Sequence, residues 1–72
     1  MATYNGHKDY NHWNVALWLS NDEGLYKQAK CALRLGKTKE AAARLLLADL
    51  PEKTPDGAPY TLSAVRAALV GL

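Results

Sequence analysis

The stretch from Trp13 to Leu19 limits the possible folds more than any other part of the chain. Six of its seven residues are apolar, and only Asn14 interrupts them. Wound as an α-helix at about 100° per residue, the stretch points Trp13 and Val15 in nearly opposite directions, so apolar side chains surround the axis. A helix that is apolar on all sides is normally buried on all sides. We therefore expect this helix at the centre of the fold, covered by other helices or by a second copy of the chain.

A chain this short needs a source of stability beyond its own hydrophobic core. A domain of 72 residues buries only about 60% of the surface of its unfolded chain. Cys31 is the sole cysteine, so an internal disulfide is impossible and self-association is the favoured source of stability. A homodimer is therefore predicted, through the apolar excess on the first and third helices. The residues expected to serve self-association or the core are Trp13, Val15, Trp18, Leu19, Leu46 and Leu47.

Capping residues mark the first two helices. Asp9 or Asn11 can cap the first helix, which is predicted to run to about residue 19. Ser20 or Asn21 can cap the second helix, and Gly36 is expected to end it in a left-handed conformation. The core face of the second helix is predicted to hold Leu25, Ala29, Ala32 and Leu33.

Similar signals mark the second half of the chain. Thr38 can cap a third helix that stops before Pro51, and Thr61 can cap a fourth helix at 62–70. Between them, the sequence of residues 54–57, Thr-Pro-Asp-Gly, is typical of a turn, because proline presets φ and glycine tolerates a positive φ. The predicted fold is all-α: a compact bundle of four short helices forming a single domain, 1–72. An extended N-terminal arm at residues 1–9, laid on the body by Tyr4, completes it.

The chain carries no signal for export or for a membrane. Its N-terminus lacks an apolar core segment, and no run approaches the roughly 18 apolar residues of a membrane-spanning helix. We expect a cytoplasmic protein that does not bind membranes. Its net charge of +2 is too small to indicate a nucleic-acid partner by itself.

The placement of the charges is more informative. Lys27, Lys30 and Arg34 fall within about 60° of one another on the second helix, and Lys37 extends the row. A row of this kind can dock on an acidic protein surface or neutralise phosphates, although most charged helix faces are simply solvated. The row is the predicted partner-binding site. The C-terminal half, predicted to be helix, loop and helix, also resembles a DNA-binding helix-turn-helix. However, its loop is longer than the 3–4 residues that a helix-turn-helix uses.

Chemistry at a metal ion or a nucleophile finds little support in the sequence. His7, His12 and Cys31 are the candidate metal ligands, but the two histidines lie five residues apart and no fourth ligand is evident. Cys31 as a nucleophile would need a base, an orienting group and a substrate pocket. We therefore predict no bound metal, no cofactor and no enzymatic activity.

The N-terminal third carries a resemblance. It shows the pattern YNG…Y..WNVALW…NDEGLY and so resembles a family of very small proteins of phages and prophages, largely of unknown function. The residues that carry it are Tyr4-Asn5-Gly6-His7, Tyr10, Trp13-Asn14-Val15-Ala16-Leu17-Trp18-Leu19 and Asn21-Asp22-Glu23-Gly24-Leu25-Tyr26. The pattern is also similar to that of an anti-CRISPR protein directed at type I-C systems.

The resemblance implies a viral protein made early in infection. Such a protein would act in the host cytoplasm, bind a subunit of a type I CRISPR surveillance complex (Cascade) and block target DNA binding without chemistry. The resemblance supplies no binding residues, so the row on the second helix remains the predicted contact. The alternative is a small DNA- or RNA-binding regulator that uses the same row.

Overall fold

The computed structural model describes residues 7–72, which contain four short α-helices. In chain order they are α1 (Tyr10–Asn21), α2 (Glu23–Leu35), α3 (Lys39–Asp49) and α4 (Leu62–Val70). The predicted all-α class and four-helix architecture are confirmed. Most of the predicted N-terminal arm, residues 1–6 with Tyr4, lies outside the described residues.

One aspartate joins α1 to α2. Asp9 caps α1 by accepting a hydrogen bond from the His12 amide at 2.9 Å, and α1 then runs two residues beyond its predicted end. The Asp22 amide donates to the Trp18 carbonyl at 3.0 Å, while its carboxylate accepts from the Leu25 amide at 3.0 Å. The predicted caps Ser20 and Asn21 are therefore wrong: both residues are still helical, and Asp22 serves both helix ends.

Gly36 ends α2 for a different reason from the one predicted. Its backbone is extended (φ −82°, ψ 135°) rather than left-handed. A Cβ atom placed on it would lie 2.5 Å from the amide nitrogen of Ala42. Glycine is therefore required here because α3 passes against the end of α2, leaving no space for a side chain.

The two threonine caps are confirmed. The Thr38 hydroxyl accepts from the Ala41 amide at 3.0 Å, and the Thr61 hydroxyl accepts from the Ala64 amide at 3.1 Å. Each bond satisfies one of the amides that the first turn of a helix leaves without a partner.

The loop between α3 and α4 contains the predicted turn. The Gly57 amide donates to the Thr54 carbonyl at 2.8 Å, and Gly57 has a φ of +91°. The Tyr60 amide donates to the Glu52 carbonyl at 3.0 Å, which closes the base of the loop. This pairing lets the buried Tyr60 ring pack into the core just before α4 begins.

The helices form a ring in which each packs on two neighbours: α1 on α2 and α4, and α3 on α2 and α4. The prediction that α1 is buried on all sides is wrong, because a ring of four short helices has no central member. Tyr10 of α1 is 44% exposed. Six of the buried core residues are alanines, which allow close helix approach: Ala29, Ala32, Ala42, Ala43, Ala64 and Ala68.

None of the helices in the described part of the chain has the length and apolar content needed to span a bilayer.

Candidate functional site

The predicted row of cations lies exposed along α2 and just beyond it. Lys27, Lys30, Arg34 and Lys37 are all exposed, on the side of the helix away from the buried Ala29 and Ala32. We call these four residues the basic row. Because α2 is amphipathic and its apolar face is used by the core, the basic row is free to meet a partner.

The members of the basic row differ in their own contacts. Lys27 pairs with Glu23 at 3.0 Å, and Lys30 lies 5.6 Å from the centroid of the Tyr26 ring. Within residues 7–72, Arg34 and Lys37 make no ion pair. The positive charge of the row is therefore concentrated at the C-terminal end of α2.

Part of this charge has a role in helix stability. Arg34 lies in the last turn of α2, where a cation interacts favourably with the negative end of the helix dipole. Lys37, by contrast, follows the end of the helix, and together with Lys39 it extends the positive surface to the start of α3. The helix dipole of α2 therefore accounts for Arg34 but not for the whole surface.

A groove of about 170 Å³ runs between α2 and α3, next to the basic row. Its walls include the exposed side chains of Cys31, Leu35 and Leu45, and Ala32 and Leu46 line it from the core. We call it the α2–α3 groove. The sequence alone does not reveal this groove, because it does not show which helix lies beside Leu45.

A second groove, of about 270 Å³, lies between α1 and α4. The half-buried Trp13 and Leu17 line its α1 side, and Ala67 and Gly71 line the other. His7 also lines it.

The residues predicted for self-association or for the core divide into two groups. Val15, Leu19 and Leu46 lie in the core of the single chain, while Trp13, Trp18 and Leu47 are half-buried. The three core residues are thus not available to a second copy while the bundle is intact.

A polar network ties α1 to the loop before α4. Asn14 is fully buried. Its amide nitrogen donates to Asp56 at 2.9 Å, and its oxygen accepts from the Thr54 hydroxyl at 2.6 Å. The Trp18 indole donates to the same Asp56 oxygen at 3.0 Å. Asn14, which interrupts the apolar stretch of α1, is therefore the residue that attaches the loop to α1. In the sequence, only its position as a single polar residue within that stretch signals this role.

The network also changes the ionisation of its carboxylate. The Asn14 amide and the Trp18 indole, by hydrogen bonding to the charged form, hold the pKa of Asp56 below its usual value of 3.8. For Tyr60, burial and then the nearby charge of Asp22 raise the pKa of the phenol. Both shifts follow from how the loop is fastened to the bundle.

The candidate metal ligands, one of which is also the candidate nucleophile, are not brought together in the described part of the chain. The His12 ring forms a hydrogen bond with the Ser63 hydroxyl at 3.0 Å, between α1 and α4. Within residues 7–72 no carboxylate contacts that ring, and no three His, Cys, Asp or Glu side chains are grouped to hold a metal ion. Cys31 is exposed on the wall of the α2–α3 groove.

Comparison with known proteins identifies a family. The model of DUF7249, a family of unknown function, matches residues 1–70, so the chain belongs to that family. No curated protein matches the chain, and no solved structure does.

Proposed function

We propose that this member of DUF7249 works by binding a macromolecular partner through the basic row, and that the partner is a subunit of a type I CRISPR surveillance complex of the host. Binding would block recruitment of target DNA. The protein would then be a phage-encoded inhibitor that acts in the host cytoplasm.

The observation that supports a binding role is the exposed basic row itself. Lys30, Arg34 and Lys37 lie on one side of the bundle, and neither Arg34 nor Lys37 is neutralised by a carboxylate among residues 7–72. Unneutralised surface cations raise the association rate with acidic surfaces and fix the orientation of docking.

The nature of the partner rests on the sequence pattern at residues 4–26, which resembles that of small phage proteins and of a type I-C anti-CRISPR protein. In the structure, many of those residues make contacts that hold the fold together. Asn14 and Trp18 hold the loop, Asp22 joins two helices, and Val15 and Leu19 fill the core. A shared pattern therefore implies a shared fold, and the contact surface has to come from residues outside it.

Binding without catalysis is proposed because the polar side chains do not assemble a reaction site. The Ser63–His12 pair has a nucleophile and a base, but no carboxylate among residues 7–72 orients the ring. The grooves of about 170 and 270 Å³ are lined mainly by apolar side chains. A hollow of about 320 Å³ is lined by Lys30, Leu33 and Arg34, side chains that supply no carboxylate, hydroxyl or thiol.

The test is phage plating on a host with active type I-C immunity. Wild-type protein should restore plating of a targeted phage. A triple charge reversal, K30E/R34E/K37E, should abolish that restoration while circular dichroism shows a folded bundle. Lys27 is left unchanged because its reversal would place two carboxylates beside each other at Glu23.

A matched control reverses three exposed cations outside the basic row, K8E/K53E/R66E. It changes the net charge equally and should inhibit like wild type. Wild-type protein that leaves immunity intact would refute the CRISPR proposal, and a fully active K30E/R34E/K37E variant would show that another surface binds.

The alternative is a small regulator that binds DNA or RNA, and the unpaired cations of the row favour it as well. Three cations that each displace a counterion predict a slope of about −3 in log affinity against log salt on duplex DNA. Fluorescence anisotropy with a labelled duplex, repeated over a salt series, measures this slope. A slope near −3 that the triple reversal removes would support the regulator.

A further inference from the structure

We infer that the α2–α3 groove and the adjoining basic row form one docking surface, and that its occupant is an acidic protein segment bearing a leucine-like side chain. The inference rests on the proposed binding role of the row and adds the chemistry of the partner.

The groove has the size and lining for a side chain rather than for a cofactor. Its volume is about 170 Å³, about half of the smallest ordinary small-molecule sites. Cys31 and Leu35 on α2 face Leu45 on α3, and the apolar Ala32 and Leu46 lie beneath. An inserted aliphatic side chain would therefore contact carbon and sulfur atoms from both helices.

The leucines of the groove are exposed to water in the free protein. Leu35 is 71% exposed and Leu45 is 46% exposed. Single exposed leucines are common and need no explanation, but here two of them line the same groove. A partner that covered both would remove their apolar surface from water, which is favourable.

The basic row lies beside this groove on the surface of α2, and the groove itself is lined by other residues. Lys27, Cys31 and Leu35 follow one another at four-residue intervals, so they form a single ridge along α2. Lys30 and Arg34 form the next ridge. A partner with an apolar side chain in the groove would place its neighbouring side chains over these cations, where carboxylates are favoured.

The charges around the groove select among possible occupants. Asp49 is the charged residue that lines the groove itself, whereas the cations of the basic row lie on the neighbouring ridge of α2, so carboxylates of an occupant are favoured beside the groove rather than inside it. A second copy of this chain would bring a second basic row toward the first, which is unfavourable. Nucleic acid would satisfy the cations with phosphates but offers no aliphatic group for the leucines. An acidic protein segment with a leucine satisfies both.

The experiment uses a synthetic probe and the protein's own cysteine. The probe is an acidic amphipathic peptide of glutamate with leucines at helical spacing, and its control is the same peptide with every leucine replaced by serine. Cys31, the sole cysteine, lines the groove, so its alkylation rate by iodoacetamide reports occupancy. Fluorescence anisotropy of a labelled peptide gives the affinity.

The leucine peptide should bind and slow Cys31 alkylation at least about tenfold at saturation. Affinity should fall about tenfold or more in L35S/L45S, since two apolar contacts are lost. The variant V70S should bind like wild type, because Val70 is 61% exposed on α4, away from the groove. The variant R34E should also bind weakly, as the carboxylates lose a cation of the basic row that has no ion pair of its own within residues 7–72.

Several outcomes would overturn the inference. They are no protection of Cys31 by about 1 mM leucine peptide, equal binding of the serine peptide, and unchanged binding by L35S/L45S. A concentration-dependent dimer in sedimentation that L35S/L45S abolishes would assign the groove to a second copy instead. An RNA oligonucleotide that protects Cys31 as well as the peptide would assign it to nucleic acid.

The plating assay separates this inference from the proposed function. If wild type fails to block immunity but the leucine peptide binds as described, the CRISPR target is wrong and the docking surface stands. If wild type blocks immunity and L35S/L45S blocks it equally, the basic row serves the function without the groove.

Discussion

Replacing Thr54 by valine should strongly destabilise the protein, even though the change keeps the shape of the side chain. The Thr54 hydroxyl donates to Asn14 at 2.6 Å and accepts from the Ala58 amide at 3.1 Å. Thr54, Asn14 and Ala58 are all buried. Valine has the shape of threonine but no hydroxyl, so T54V leaves a buried oxygen and a buried amide without partners and opens no cavity.

The magnitude follows from those two groups. A buried polar group left without its partner costs about 1–3 kcal/mol, so T54V, which leaves two such groups, should lose about 2–6 kcal/mol. Domains are stable by about 0.05–0.15 kcal/mol per residue, which gives this chain about 4–11 kcal/mol in total. The variant should thus lose a large part of its stability, with a melting temperature lower by at least about 8 °C.

Urea unfolding followed by circular dichroism measures this loss, with T54S as the control. Serine keeps both hydrogen bonds and loses one methyl group, worth about 1 kcal/mol. T54V should therefore be less stable than T54S by at least about 1 kcal/mol. Equal stability, or a more stable valine variant, would show that the buried network does not hold the loop to α1.

Three other changes test separate parts of the fold. G36A should destabilise the bundle by about 1–3 kcal/mol in urea, because its Cβ would meet the Ala42 amide at 2.5 Å. The control is G24A, at a glycine within α2. Its Cβ would meet only the Asp22 carboxylate at 3.4 Å, so G24A should be neutral or stabilising. Equal losses of stability in G36A and G24A would refute the conclusion that α3 leaves no space for a side chain at position 36. Because the pKa of Asp56 is lowered in the fold, the stability contributed by this carboxylate is present above its usual pKa of 3.8 and is lost as pH falls through the lower folded value. D56N should reduce the dependence of stability on pH between about pH 2 and pH 5. An unchanged pH profile would count against the network. T61A should lose about 1 kcal/mol in thermal unfolding, and no loss would mean that the cap at α4 is dispensable.

Local chemistry in the sequence was sufficient to predict the four helices. Thr38 and Thr61 cap their helices as expected, because a threonine before an apolar-periodic segment competes well for the free amides of the first turn. Gly57 adopts the positive φ that its turn requires. The exposure of the basic row also followed from periodicity, since a helix that buries alanines on one side must present the opposite side to solvent.

Positions whose role depends on a distant neighbour were harder to predict. Asn14 looked like an interruption of an apolar helix, yet it is buried because Thr54 and Asp56, some 40 residues away, supply its hydrogen bonds. Gly36 looked like a left-handed cap, but the nearby α3 backbone is what excludes a side chain. In both cases the residue's role is set by a contact with another part of the fold. The pattern of neighbouring residues in the sequence does not show where that contact lies.

The sequence by itself determined where α3 and α4 begin, which face of α2 is charged, and that no internal disulfide can stabilise this chain. Those properties depend on residues within one or two turns of each other. The tertiary structure decided that α1 is one side of a ring rather than its centre, that Asn14 fastens a loop, and that Leu35 and Leu45 share a groove beside the cations. The physical reason is that packing and hydrogen bonding between elements depend on distances in space, which become defined only when the helices are assembled.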